Sequence, residues 1–124
     1  MWKRRKMAYD EQLAERVRGV LAGQQGLTER KMFGGLTFML AGNMCVGVEQ
    51  DRLMVRLGQD AYEKALTRPH AAPMDFTGRP MKGFVFVAPG GISTPAALRE
   101  WVDLGVQFCR TLPAKKAKAE KGKR

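Results

Sequence analysis

The chain has 124 residues, of which 44% are hydrophobic and 27% charged, and its formal net charge is +10. A chain of this length and apolar content predicts one folded domain and excludes a wholly disordered protein. The excess of Lys and Arg suggests a polyanionic partner, but it is concentrated at the two ends: residues 1–6 carry +4 and residues 113–124 carry +5, which leaves +1 for residues 7–112. We therefore predict a flexible basic arm (1–8), a folded domain (9–112) and a disordered basic tail (113–124).

The cysteines and the lengths of the apolar runs indicate a cellular compartment. Cys45 and Cys109 are far apart in the sequence and form no CxxC motif, so we expect neither a structural disulfide nor an oxidising environment. No apolar run approaches the length of a membrane span, and no apolar region follows the charged start of the chain as it would in a signal peptide. We expect a cytoplasmic protein without membrane contact. Met7 is an alternative start of translation, which would remove the basic arm.

The first predicted element is a helix over residues 10–22. Asp10 can cap its N-terminus, and Gly23 follows its end. Its apolar residues fall on one face at helical spacing, namely Leu13, Val17, Val20 and Leu21. This stripe predicts that the helix covers another apolar surface, and residues 27–31 then lead into a sheet.

The stretch from Lys31 to Leu57 predicts three antiparallel strands, over residues 34–40, 44–49 and 52–57. Short segments of turn-forming or polar residues separate them, and connections this short join antiparallel neighbours. In the third strand, residues of two kinds alternate, namely Leu53, Val55 and Leu57 with Arg52, Met54 and Arg56. This alternation predicts a sheet with one buried face and one solvated face. The solvated face either contacts a partner or is simply hydrated.

The second half of the chain predicts a helix, a hairpin and a final helix. Residues 59–67 predict a short helix. Residues 72–76 and 84–87 predict two strands joined by a wide loop, and the second of these is the most β-prone run in the chain. The last helix begins at Ser93 or Thr94, either of which can cap it. The element order is helix, three strands, helix, two strands, helix, which is an α+β class.

No residue pattern is typical of an active site. His70 is the only histidine, and it has no Ser or Cys at the spacing of a known nucleophile motif. The histidine and the two cysteines are too scattered to predict a metal site. Gly34 and Gly35 lack the spacing of a phosphate-binding loop and precede a strand, so we interpret them as the start or a bulge of that strand. We expect no catalytic residue, cofactor or metal. A small enzyme that uses His70 or Asp75 is a hypothesis that we place third, after the two described below.

Three short motifs occur in order along the chain. They are Lys31–Gly35 (KMFGG), Gly42–Cys45 (GNMC) and Pro73–Val85 (PMDFTGRPMKGFV), with Arg68-Pro69-His70 before the third. In these motifs the chain resembles the N-terminal domain of the TfoX/Sxy competence-regulator family, over roughly residues 9–112. The resemblance implies an α-β(3)-α-β(2)-α fold of two layers, with one antiparallel sheet packed by helices.

The resemblance also implies a function. Full regulators of this family activate DNA-uptake genes in bacteria as coactivators that work with the cyclic-AMP receptor protein, and they carry a second, helical domain. We expect this chain to be a stand-alone N-terminal domain, because a basic tail follows the matching region. The resemblance and the lack of active-site motifs together predict a non-enzymatic regulatory module that binds a protein partner, a transcription regulator. The predicted contact residues are Met32, Phe33, Gly34, Gly35, Asp75, Arg79, Met81, Lys82 and Phe84.

The basic ends provide the second hypothesis, non-specific nucleic-acid binding. Charge blocks of this kind bind polyanions loosely, and their binding weakens as salt is added. The predicted contacts to nucleic acid are Lys3, Arg4, Arg5, Lys6, Lys115, Lys116 and Lys118. An exposed edge of the predicted sheet would also allow a homodimer.

Overall fold

The computed structural model of the protein describes residues 9–32, 34–75 and 81–114. These residues form three α-helices and six strands around one sheet. In chain order the elements are α1 (Glu11–Leu21), β1 (Leu27–Met32), β2 (Gly35–Leu40), β3 (Asn43–Glu49), β4 (Arg52–Arg56), α2 (Gln59–Leu66), β5 (Ala71–Pro73), β6 (Phe84–Val87) and α3 (Pro95–Cys109). The predicted α+β class is confirmed.

The six strands make one antiparallel sheet in the order β1-β2-β3-β4-β6-β5. The first four strands each pair with their neighbour along the chain, as the short connections predict. Between β2 and β3, Ala41 and Gly42 both have positive φ, 51° and 83°, which is the backbone geometry that a two-residue hairpin turn requires. β6 lies between β4 and β5, so the last two strands of the chain are added next to β4, at the side of the sheet farthest from β1.

The structure has four strands before α2, one more than the sequence predicts. The additional strand is β1, which lies at the edge of the described sheet and exposes its four central residues. A bidentate ion pair ties it to α1: Arg18 Nε lies 2.6 Å from Glu29 Oε2, and Arg18 Nη2 lies 2.9 Å from Glu29 Oε1. This hydrogen bonding lowers the pKa of Glu29. Because both side chains are about one-third exposed, the pair is worth less than about 1 kcal/mol.

All three helices cover the same face of the sheet, which we call the helix face. Their ends follow ordinary capping rules: the Asp10 carboxylate accepts from the backbone N–H groups of Gln12 and Leu13, and the Thr94 hydroxyl accepts from that of Ala97. The core between helices and sheet includes Val17, Leu21, Phe38, Val46, Val48, Leu53, Val55, Tyr62, Val85, Trp101 and Val102. Within the described ranges, no helix combines the length and apolar character needed to cross a membrane.

Gly105 allows α3 to pack closely against β3. A Cβ atom at this position would lie 2.9 Å from Val46 Cγ1 and 3.0 Å from the Cys45 carbonyl oxygen. We expect Gly105→Ala to lower the free energy of unfolding by about 1–2 kcal/mol, because the backbone carbonyl cannot move aside. The matched control is Gly19→Ala in α1, where nothing in the described part of the chain lies within 4 Å of the added atom.

The Gly19→Ala control is expected to raise the free energy of unfolding by about 0.5–1 kcal/mol through helix propensity alone. Urea unfolding of the two variants measures both effects. If Gly105→Ala stabilised the protein as much as Gly19→Ala, the close contact between α3 and β3 would be contradicted.

Candidate functional site

The face of the sheet opposite the helices carries a cluster of methionines. We call it the methionine face and define its centre as Met39, Met44, Met54, Met74 and Phe86. Each of these side chains is 8% exposed or less, and those of Met54 and Met74 are 0% exposed. The protein therefore has a second apolar cluster on the side of the sheet that the helices do not cover.

Sheet register brings these residues together from separate strands. Met54 lies directly opposite Gly47 on one side and Phe86 on the other, and Met39 lies opposite Met44. A Cβ atom on Gly47 would lie 2.5 Å from the Met54 terminal methyl group, so the glycine leaves room for that side chain. Cross-strand neighbours on one face are in contact distance, which explains why the cluster is continuous.

The prediction that Met54 lies on a solvated face is wrong. Alternation within β4 does separate it from Leu53 and Val55, but neighbouring strands contribute their own methionines and Phe86 to the same face. A single strand cannot show this, because burial on a sheet depends on residues across the strand pairs. Within β4, the partly exposed residues are Arg52 and Arg56, the charged residues that alternate with Met54.

The two arginines of β4 lie against aromatic rings. The Arg52 guanidinium carbon is 3.6 Å from the centroid of the Phe86 ring, and its Nε lies 2.7 Å from Glu49 Oε1. The Arg56 guanidinium carbon is 5.6 Å from the centroid of Phe84. Guanidinium groups held over rings in this way gain about 0.5–1 kcal/mol at exposed sites. The methionine face thus combines apolar surface with one cation over its own aromatic ring, Arg52, while Arg56 lies at its edge, 5.4 Å from the centroid of the Phe108 ring of α3.

Three of the predicted contact residues form the border of this face. Met32, Met81 and Phe84 are partly buried and pack against the central cluster; we call them the rim. Backbone hydrogen bonds join the two sides of the β5–β6 connection and position Met81 of the rim, whose N–H donates to Met74 O at 2.9 Å. The structure therefore brings together residues that lie about fifty positions apart in the sequence.

The other predicted contact residues have separate positions. Gly34 is exposed with φ 74°, and Gly35 is buried at the start of β2. Asp75 and Lys82 are exposed. Several predicted residues lie outside the described ranges, so their contacts stay predictions: Phe33, Arg79, Lys3, Arg4, Arg5, Lys6, Lys115, Lys116 and Lys118.

One buried hydroxyl group interrupts the apolar character of this part of the sheet. Thr37 is 0% exposed, and its Oγ1 has no hydrogen-bond partner in the described part of the chain. It lies opposite Arg30 on β1 and Gly47 on β3. A buried hydroxyl without a partner costs about 1–3 kcal/mol.

We expect Thr37→Val to raise the free energy of unfolding by about 1 kcal/mol, since valine has the same shape and no hydroxyl group to desolvate. Chemical unfolding of the variant measures the change. Thr37→Ser is the matched control, because it keeps the hydroxyl and should not stabilise. A loss of stability in Thr37→Val would show that the hydroxyl has a partner.

The structure gives little support to catalysis at His70. The residue is exposed with φ 71°, and its ring lies against the turn at Gly90, where a Cβ atom would be 2.6 Å from His70 Cε1. A groove elsewhere on the domain is lined by residues that include Asp10, Arg16 and Asp51. The guanidinium of Arg16 is already hydrogen bonded there, since its Nη2 donates to the Ile92 carbonyl at 2.7 Å. Among the described residues, no group of three or more His, Cys, Asp or Glu side chains could hold a metal ion.

Two thiols meet between β3 and α3, a pairing that sequence spacing does not show. Cys45 and Cys109 are free and buried, and the Cys109 thiol donates to the Met44 carbonyl at 3.0 Å. Hydrogen bonding to Cys109, together with burial, raises the pKa of Cys45. The same hydrogen bond lowers the pKa of Cys109; burial opposes that change, and the positive charges of Arg56 and Arg110 favour it.

Comparison with known proteins finds one family. A family model described as the TfoX N-terminal domain matches residues 20–109 of the 124-residue chain. The matched range begins within α1, contains all six described strands and ends at the last residue of α3. No curated protein and no solved structure matches the chain.

Proposed function

The chain belongs to the TfoX N-terminal domain family, and we propose that it is a non-enzymatic regulatory module that binds a protein partner through the methionine face. Family membership supports a regulatory role related to competence. The partner we propose is a transcription regulator, so that the module acts as a coactivator. The alternative of a small enzyme built on His70 or Asp75 gains no support, because both residues are exposed.

The observation that carries this proposal is the composition of the methionine face. Its rim, Met32, Met81 and Phe84, is partly exposed and continuous with a buried apolar cluster. Arg52 lies over the Phe86 ring of this face, and Arg56 lies at its edge between the rings of Phe84 and Phe108. Methionine, aromatic residues and arginine are enriched at protein interfaces, and flexible methionines adapt to the shape of a partner. This surface suits a partner that offers an apolar segment bordered by acidic side chains.

The test is calorimetric titration of the full chain with the cyclic-AMP receptor protein, the regulator with which this family is expected to work. We expect Met81→Asp to weaken binding by at least about tenfold, because a charge on the rim would be desolvated in the complex. The control is Glu63→Lys on the exposed side of α2, which should bind like the wild type. Equal binding by wild type and Met81→Asp would refute the proposed surface, and absence of binding by the wild type would refute this partner.

A second proposal, non-specific nucleic-acid binding, is supported by the positions of Tyr9 and Pro113, the residues of the domain that lie next to the two basic segments. Tyr9 forms a bridge with Gln50 at one end of β3, and the Pro113 carbonyl accepts from Asn43 Nδ2 at the other end. A seven-residue strand is about 23 Å long, so the two basic segments begin at well-separated points of the domain. Such an arrangement allows both segments to contact one polyanion at the same time.

DNA binding measured by fluorescence anisotropy tests this second proposal. We expect replacement of Lys115, Lys116 and Lys118 by Glu to abolish binding of the full chain, and we expect the wild-type affinity to fall steeply between low and physiological salt. Replacement of the exposed Lys64 by Glu is the control for net charge. Binding that is indifferent to the tail substitutions and to salt would exclude the basic tail as the anchor.

A further inference from the structure

A β-bulge determines which way Cys45 points. In the pairing of β2 with β3, Phe38 lies opposite Val46 and Met39 lies opposite Met44, so Cys45 is the extra residue. Regular alternation from Val46 would direct Cys45 to the methionine face and Met44 to the helix face. The observed clusters are the reverse, with Cys45 in the core beneath the helices and Met44 on the methionine face. Bulges commonly re-aim side chains in this way.

The other thiol approaches from α3. Cys109 is the last residue of that helix, one turn after Gly105. At Gly105 an added Cβ atom would lie 3.3 Å from Cys45 Sγ, which shows how closely the helix approaches this cysteine. The Cys109 thiol donates to the Met44 carbonyl at 3.0 Å, and this carbonyl belongs to the peptide bond that joins Met44 to Cys45. The bulge in β3 and Gly105 in α3 thus allow the two thiols to lie close together within the apolar core.

We propose that Cys45 and Cys109 are a redox-active pair, which a small-molecule disulfide converts into an intramolecular disulfide joining β3 to α3. The Cys109 thiolate attacks one sulfur of the small disulfide, forming a mixed disulfide and releasing one small thiolate. The released small thiolate takes the proton of Cys45, and the Cys45 sulfur attacks the Cys109 sulfur, which breaks the mixed disulfide and releases the second small thiolate. The protein loses two electrons and two protons, and the small disulfide is reduced to two thiols.

The position of Cys109 provides access for this reaction. Its exposed fraction is 4%, against 0% for Cys45, and it lies at the end of a helix, where the last turn opens more readily than the interior. Arg56 and Arg110 favour the thiolate of Cys109, which is the form that attacks. Once formed, the disulfide would hold the end of α3 beside Asn43, whose amide binds the Pro113 carbonyl. Oxidation would therefore fix the point at which the basic tail leaves the domain.

Non-reducing peptide mapping of the oxidised wild-type chain tests the proposal directly. The full chain is incubated with oxidised glutathione, unfolded, alkylated and digested. We expect a single species in which the peptide of Cys45 is linked to the peptide of Cys109, neither cysteine is alkylated, and dithiothreitol reverses the linkage. We also expect the Tm to rise by about 10 °C on oxidation and to return on reduction, because the bond closes a long loop of the unfolded chain.

Three results would overturn the proposal. The first is that both cysteines can still be alkylated after incubation with excess oxidised glutathione. The second is a glutathione adduct on each cysteine, and the third is a disulfide that joins two chains. Cys45→Ala and Cys109→Ala extend the test, since neither variant should show the rise in Tm. Peptide mapping of the wild type decides the outcome even if one of these core variants does not fold.

Discussion

Gly35→Ala is expected to lower the free energy of unfolding by about 3–5 kcal/mol, which is a large share of the roughly 5–15 kcal/mol that stabilises an ordinary domain. A Cβ atom on Gly35 would overlap the Val48 carbonyl oxygen and lie 3.0 Å from the Cα of Glu49. Both atoms belong to the backbone of β3, so they cannot rotate away as a side chain would. The substitution would have to separate β2 from β3 at the start of their pairing.

The neighbouring glycine is the matched control for Gly35→Ala. Gly34 has φ 74°, but no atom of the described residues lies within 4 Å of a Cβ atom there, so Gly34→Ala should cost only about 1–2 kcal/mol of backbone strain. Urea unfolding followed by circular dichroism measures both variants. Equal losses would mean that the two glycines serve only the turn and that the close approach of the strands does not limit residue 35.

Met54→Ala is expected to lower the free energy of unfolding by about 3 kcal/mol, whereas Met81→Ala should cost less than about 1 kcal/mol. Met54 is 0% exposed at the centre of the methionine face, and its removal would leave a cavity beside Gly47 and Phe86. Met81 is partly exposed on the rim and has less contact area to lose. Guanidinium chloride unfolding of the two variants gives the comparison.

The comparison between Met54 and Met81 decides how the methionine face should be interpreted. A large loss for Met54→Ala identifies its centre as a second core and leaves the rim as the surface available to a partner. Rim variants can then be used in binding experiments without loss of the fold. A mild effect of Met54→Ala would instead indicate that the centre is loosely packed, and binding defects in Met81→Asp could no longer be separated from rearrangement of the whole face.

The helices were predictable because each carries its own evidence. Helical periodicity and the Asp10 cap predict α1 over residues 10–22, and the structure has it over Glu11–Leu21. Thr94 likewise marks the start of α3. β1 was not predictable, since an edge strand with exposed Thr28–Lys31 has no alternation of apolar and polar residues to reveal it. β1 is stabilised by its pairing with β2, and the residues of β1 alone do not reveal that pairing.

The candidate site was predicted in part, for a related reason. Met32, Met81 and Phe84 stand within motifs that the sequence singles out, and the structure places them around one surface. The centre of that surface was missed because the bulge at Cys45 inverts the alternation of β3 and turns Met44 to the other side. The one sequence signal was the number of methionines, 8 in the chain, which does not say which of them meet.

The order of the strands also has a consequence for the speed and route of folding. Connections of two residues each join β1 to β2, β2 to β3 and β3 to β4, whereas 27 residues separate β4 from its other neighbour, β6. Closing a short loop costs less chain entropy than closing a long one, so the meander should form before β6 docks. Destabilising substitutions within β2–β4 should then slow folding. Those in β5 and β6 should mainly speed unfolding, so the lifetime of the native state depends most on the last pair of strands to dock.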